Sequence, residues 1–232
     1  DSLPSRGLGD VYKRQICVGP CGRSDPPPCP KASEATSPRI HQPLRISEMY
    51  PCPIDITDWP SALRSLIQWD SPPDFGSSRR ASVKTTELEP TVLLPSDALE
   101  HPEAQGLCWS AILLWLDDLH GSHEISQGIS GREGSYWHGI MHRREPDYSN
   151  AKYWFRKVPT HPIHKKLSAW VSEHVNCREV RSKNMTIPWS SEQFVDLCAE
   201  NFDCKTEIRD AIEAVAAAEW FFLFDYCRRV RN

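Results

Sequence analysis

The run LCWSAILLWL at residues 107–116 is apolar around almost the whole circumference of a helix. A helix without a polar face has to be surrounded by the rest of its chain, so this segment predicts a central, buried helix. Pro102 suits a first turn, and the spacing of Leu107, Ala111, Leu114 and Leu119 carries one predicted helix from about residue 102 to residue 127. Its last turns are polar and hold Asp117, Asp118, His120, His123 and Glu124.

Gly128, Gly131 and Gly134 punctuate a turn, after which a second helix is expected over residues 135–144, stopped ahead of Pro146. Further helices are predicted at 149–157, 164–175, 190–201 and 205–229, with capping chemistry for the fifth in SSEQ at 190–193. A short one is expected within 59–69, where Leu63, Leu66 and Ile67 share a face. No alternating β-branched stretch competes with these assignments. The expected fold is all-α: one helical bundle of five to six helices, wrapped by an irregular, proline-bearing segment over residues 50–94.

Residues 1–15, DSLPSRGLGDVYKRQ, resemble a translated sequencing-adapter scar, and the first methionine is Met49. The segment between them is rich in Pro, Ser and Cys without apolar period, so residues 1–48 are expected to form a disordered or artefactual leader outside the core, and 49–232 the domain. Three of the nine cysteines, Cys17, Cys21 and Cys29, lie in that leader, and the others lack CxxC spacing. Free thiols in a reducing, cytoplasmic setting follow as the expectation. The net charge is −4, and the acidic excess grows once the first 48 residues are set aside, which does not favour a nucleic-acid partner. No run approaches the roughly 18 apolar residues of a membrane span, so no membrane partner is expected. RRAS at 79–82 matches a phosphorylation target, a short pattern that usually occurs by accident. Oligomeric state has no signature in the sequence.

Reactive groups concentrate at residues 131–148, GREGSYWHGIMHRREPDY. On a helix His138, His142 and Glu145 stand at i, i+4 and i+7 and share one face, while Trp137, Met141 and Arg144 share a neighbouring one. If the two central helices fold back about Gly131, His120 and His142 lie eleven residues from the turn, and His123 and His138 lie eight and seven. Four imidazoles would then be level in pairs. Such pairs on facing helices build metal sites, and imidazole with carboxylate suits zinc or non-haem iron better than magnesium. The candidate ligands are His120, His123, His138 and His142, with Glu124 or Glu145. A metal-free acid/base site would use His138, His142 and Glu145, and the same groups equally suit a structural polar network.

Arg132, Arg143, Arg144 and Arg156, with Lys152 and Lys157, form a basic cluster that could hold a small anionic ligand, although Glu133, Glu145 and Asp147 offer ion pairs nearby. Adjacent Arg143 and Arg144 point about 100° apart and so should differ in role: one to an anion or buried carboxylate, preferably Arg143, and the other to bracing a helix. Trp137, Tyr148, Tyr153, Trp154 and Phe155 could wall a pocket, though core is the commoner fate of such rings. Glu219 reads as exposed more readily than as a buried carboxylate reaching the site. Cys108 lacks the electropositive setting of a nucleophile, and P-loop, GxGxxG, GxSxG and zinc-finger spacings are missing.

The run GISGREGSYWHGIMHRREPDYSNAKYWFRKVPTHPI, preceded by LDDLHGSHEISQ, resembles a family of proteins of about this size, found mainly in fungi and some bacteria, that carries no assigned activity. The resemblance extends from about Tyr50 to the final helix. It implies family positions at His123, Gly131, Arg132, Gly134, Trp137, His138, Met141, His142, Arg143, Arg144, Asp147, Lys152, Tyr153, Trp154 and Arg156. The chain departs from it at Lys157-Val158-Pro159, where Arg, Val and Gly are expected. The functional expectation is a metal-assisted hydrolase for a small anionic substrate, with catalytic His138, His142 and Glu145 and substrate-binding Arg132, Arg143, Trp137, Tyr153 and Arg156. The alternative is a non-catalytic ligand-binding or interaction domain.

Overall fold

The computed structural model describes residues 45–73, 84–182, 189–202 and 207–230. The leader up to residue 44, the RRAS segment and most of the irregular stretch expected at 182–188 lie outside the described residues. Helices account for all regular structure among the described residues, in the order α1 (Ile46–Met49), α2 (Ser61–Leu66), a 3₁₀ turn at Thr85–Glu87, α3 (Pro90–Leu93), α4 (Ser96–Leu99), α5 (Pro102–Trp115), α6 (Leu119–Gly128), α7 (Arg132–Arg144), α8 (Tyr148–Phe155), α9 (Pro162–His174), α10 (Arg178–Ser182), α11 (Ser191–Glu200) and α12 (Glu207–Cys227). The fold class is all-α. None of the described helices is long and apolar enough to cross a membrane.

The helix expected over 102–127 is two helices. α5 ends at Trp115 with Leu116 as its C-cap, and Asp117 turns into the left-handed region at φ +65°, uncommon for a residue with a side chain. Asp118 then restarts the chain as the N-cap of α6, accepting from the Gly121 N–H at 2.9 Å, while Thr85 Oγ1 donates to its other oxygen at 2.6 Å. The break is held from α7: Arg144 pairs with Asp117 and donates at 3.1 Å to the Leu114 carbonyl, which also accepts from the Asp117 N–H at 3.3 Å. Arg144 therefore braces a neighbouring helix. Among the described residues seven helices have eight residues or more, where the sequence reading expects a bundle of five to six.

α5 is central as its composition requires. Leu107, Cys108, Ala111 and Ile112 are fully buried, and the Ala111 carbonyl accepts from the Trp220 indole N–H of α12 at 2.9 Å. Trp115 packs on Trp220 at 4.8 Å between ring centroids, and Trp59 from the N-terminal wrap packs on Phe224 at 4.7 Å. Arg228, next to the end of α12, ties that wrap down through Asp58 at 2.7 Å and Asp97 at 2.8 Å. The core reaches back to Ile46, ahead of the Met49 boundary, because α1 turns that side chain inward.

α7 begins three residues earlier than expected. Gly131 at φ +127° makes the entry, and Gly134 lies so close to the preceding strand of loop that an added Cβ would meet the Ile129 carbonyl oxygen at 2.3 Å. This close approach sets α7 against α6. On its other side α7 packs against α8, with Gly139 facing the Phe155 ring.

Candidate functional site

His123 of α6 and His138 and His142 of α7 meet between these two helices. Ring centroids are 4.6 Å apart for His123 and His138, 4.7 Å for His138 and His142, and 5.4 Å for His123 and His142. One nitrogen from each ring can be chosen so that all three lie within 4.8 Å of one another. His138 and His142 are buried and His123 is half-buried, which makes His123 the side of the cluster nearest solvent.

His120 stays outside. The inward stripe of α6 is Ser122 and Ser126, with Ser110 Oγ of α5 donating to the Ser122 carbonyl at 3.0 Å. Two residues of helix are about 200° of rotation, so His120 points away from that stripe while His123 sits at its edge. His120 is 84% exposed and pairs with Glu124 at 3.5 Å. A single imidazole from α6 thus faces two from α7, in place of the two level pairs expected for an uninterrupted hairpin.

The three rings are held by polar neighbours. Glu145 Oε2 stands 3.3 Å from His142 Nδ1, and because a carboxylate only accepts, this contact places the proton of a neutral His142 on Nδ1. Its Nε2 is left as an acceptor, and Asn150 Nδ2 donates to it at 3.0 Å. Ser126 Oγ lies 3.4 Å from His138 Nδ1. Trp154 of α8 covers the His138 ring, with centroids 4.0 Å apart and planes 31° from parallel, and Lys157 Nζ sits 3.6 Å from the Trp154 ring centre. Burial, then the neighbouring His142, His123 and Lys157, push His138 down to about 3, and burial also lowers His142 against the opposing pull of Glu145 and Asp147. Both rings are neutral at physiological pH, the form that binds metals.

The other expected site residues do not converge here. Trp137 is fully buried against Trp220, at 6.0 Å between centroids, and serves the core. Arg143 is buried away from the histidines: its Nη2 donates to Glu219 Oε2 at 2.6 Å, with the guanidinium over the Phe194 ring at 4.5 Å. Glu219 is buried, not exposed, and its second oxygen accepts from the Tyr136 hydroxyl at 2.9 Å, so it belongs to this pair and not to the histidines. Burial alone would lower Arg143, yet Glu219 outweighs it and raises it, while burial and Glu219 push Tyr136 well above its usual range. Arg132 lies beside Glu133 at 3.8 Å and Arg156 donates to Glu192 at 3.1 Å, both on the surface. Lys152 pairs with Asp196. Tyr153 is half exposed, with its ring 5.6 Å from Trp154.

Ser126, Asn150, Trp154 and Lys157 are neighbours that reading the sequence for reactive groups overlooked as a set. Their signal is positional: Asn150, Trp154 and Lys157 follow i, i+4, i+7, one face of α8 and the turn after it, and Ser126 is three residues from His123. The chain matches no protein-family model, no curated protein and no solved structure.

Proposed function

We propose that His123, His138 and His142 bind a divalent metal ion, zinc or non-haem iron, and that the protein is a metal-assisted hydrolase acting on a small anionic substrate. The observation that carries this reading is the meeting of three imidazoles from two helices, with one nitrogen from each within 4.8 Å of the others. Three nitrogen ligands leave a position free, as in catalytic zinc sites, and Glu145 on His142 Nδ1 supplies the carboxylate–imidazole pairing that orients metal-binding histidines. A bound ion of this kind would polarise a substrate oxygen and acidify a water toward neutral pH. A tetrahedral ion about 2.0–2.1 Å from each nitrogen needs nitrogens about 3.3 Å apart, so nitrogens now within 4.8 Å of one another close in by up to about 1.5 Å, and His142 exchanges the Asn150 donor for the ion.

Equilibrium dialysis against zinc tests the site. One ion per chain is expected for the wild type and for His120→Ala, and loss of binding for His138→Ala and His142→Ala in folded protein. Zinc-dependent hydrolysis of a small anionic ester, abolished in the same variants, tests the activity. A second reading, a purely structural cluster, is favoured by the protein contacts the rings already have in Ser126, Asn150, Glu145 and Trp154. It expects no stoichiometric zinc and reduced stability in His138→Ala.

A further inference from the structure

The cations that the sequence gathers between Arg132 and Lys157 are almost all committed to carboxylates. Arg132 has Glu133, Arg143 has Glu219, Arg144 has Asp117, Lys152 has Asp196 and Arg156 has Glu192. Lys157 has no carboxylate partner among the described residues. Its ammonium instead lies across two rings, 3.6 Å from the centre of Trp154 and 4.6 Å from that of Tyr153. Ring faces attract a cation while leaving its N–H donors available for an oxyanion.

Trp154 links that charge to the histidines, since its ring also covers His138. The surroundings of the cluster are consequently polarised. Glu145 Oε2 stands 3.3 Å from His142 Nδ1, while the Trp154 ring carries His138 at 4.0 Å and the Lys157 ammonium at 3.6 Å. An anion held by that ammonium lies against the same indole that covers His138. We infer that Lys157, held on Trp154 and Tyr153, is the anion-positioning residue of the histidine site and binds the phosphate or carboxylate group of the substrate. This inference rests on the proposed hydrolytic site for its substrate, whereas the anion contact itself needs only Lys157 and its aromatic support. Arg would keep the positive charge and can also lie on ring faces, so Lys157→Arg tests whether charge and ring contact together are enough.

Inorganic phosphate and acetate are the probes, titrated into the full chain with and without cobalt(II). Binding is followed by isothermal titration and by the His138 ring resonances in long-range ¹H–¹⁵N spectra, and cobalt binding by its visible absorption. For Lys157→Gln the phosphate dissociation constant should rise at least tenfold, with cobalt affinity unchanged or higher because a neighbouring positive charge is gone. Lys157→Arg should stay within threefold of wild type, and Lys165→Gln, an exposed lysine on α9, should leave phosphate binding unchanged. Phosphate binding alone would identify a phosphate ester as the substrate class, and equal acetate binding a carboxylate; either supports the inference if Lys157→Gln loses it. Failure of the wild type to bind either anion, wild-type binding by Lys157→Gln, or an equal loss in Lys165→Gln overturns it. Cobalt binding with anion binding indifferent to residue 157 removes Lys157 and leaves the metal site standing. Loss of anion binding in Lys157→Gln without cobalt binding in any form keeps the anion site and removes the metal.

Discussion

Glu219→Gln removes one charge from an ion pair that water does not reach. The Arg143 and Glu219 side chains are 1% and 0% exposed and 2.6 Å apart, and the Tyr136 hydroxyl completes the carboxylate. Glutamine keeps the shape and still accepts from Tyr136, so the loss is confined to the charge facing Arg143. Breaking a buried pair from one side costs about 3–5 kcal/mol, because the surviving charge is left in a medium that does not solvate it. For a domain of this size each kcal/mol shifts Tm by about 2–4 °C, which places the expected drop on the order of 10 °C. Reversible urea unfolding followed by tryptophan fluorescence measures the free energy, and calorimetry the Tm. Arg143→Met/Glu219→Gln should be less destabilised than the sum of the single variants by about 2 kcal/mol or more, since neither residual charge remains. A Glu219→Gln protein within about 1 kcal/mol of wild type, or strictly additive single variants, would refute the assignment of this pair as a buried, mutually dependent unit.

Acid should weaken the fold through His164 as well as through the cluster. Burial and the adjacent His161 lower His164 to about 4, and its Nδ1 accepts from the His161 backbone N–H at 3.2 Å, which requires the neutral ring. The folded value lies below the unfolded one near 6.5, so the stabilisation is present above pH 6.5 and is lost as pH falls toward 4. Metal-free His164→Asn, whose side-chain oxygen can still accept, should show a shallower fall in Tm between those pH values; an unchanged slope would count against it. Gly134→Ala should destabilise despite the higher helix propensity of alanine, worth about 1 kcal/mol, because the new Cβ meets a backbone carbonyl at 2.3 Å. A rise in Tm would show that the approach of α7 to Ile129 is looser than described.

The helical class is legible because apolar spacing survives even where the chain turns: α7, α8, α9 and α11 begin or end within a few residues of proline, glycine or capping signals, and α12 follows its apolar spacing alone. The break at Asp117 was not, since its cause is Arg144 reaching back from α7, a contact 27 residues distant in sequence. That break decides the site. It starts α6 afresh at Asp118 and rotates His120 outward, which turn-counting along an unbroken helix could not reveal. His138 and His142 could be placed on one face because both lie on a single helix. Glu219 was misjudged for the converse reason: its neighbours in sequence are alanines and a tryptophan, and what buries a carboxylate there is Arg143, 76 residues away. Lys157 was submerged in a charge cluster whose other members turned out to have partners.

X-ray absorption at the zinc edge of the zinc-loaded 232-residue chain addresses the central claim most directly. The account predicts one zinc per chain with about three imidazole nitrogens at 2.0–2.1 Å, visible through their outer-ring scattering, and one further light-atom ligand. The spectrum should be unchanged in His120→Ala and should lose one imidazole or the metal altogether in His123→Ala. Zinc that is absent after dialysis, or bound with fewer than two imidazoles, or bound identically when His123 is replaced, would contradict it.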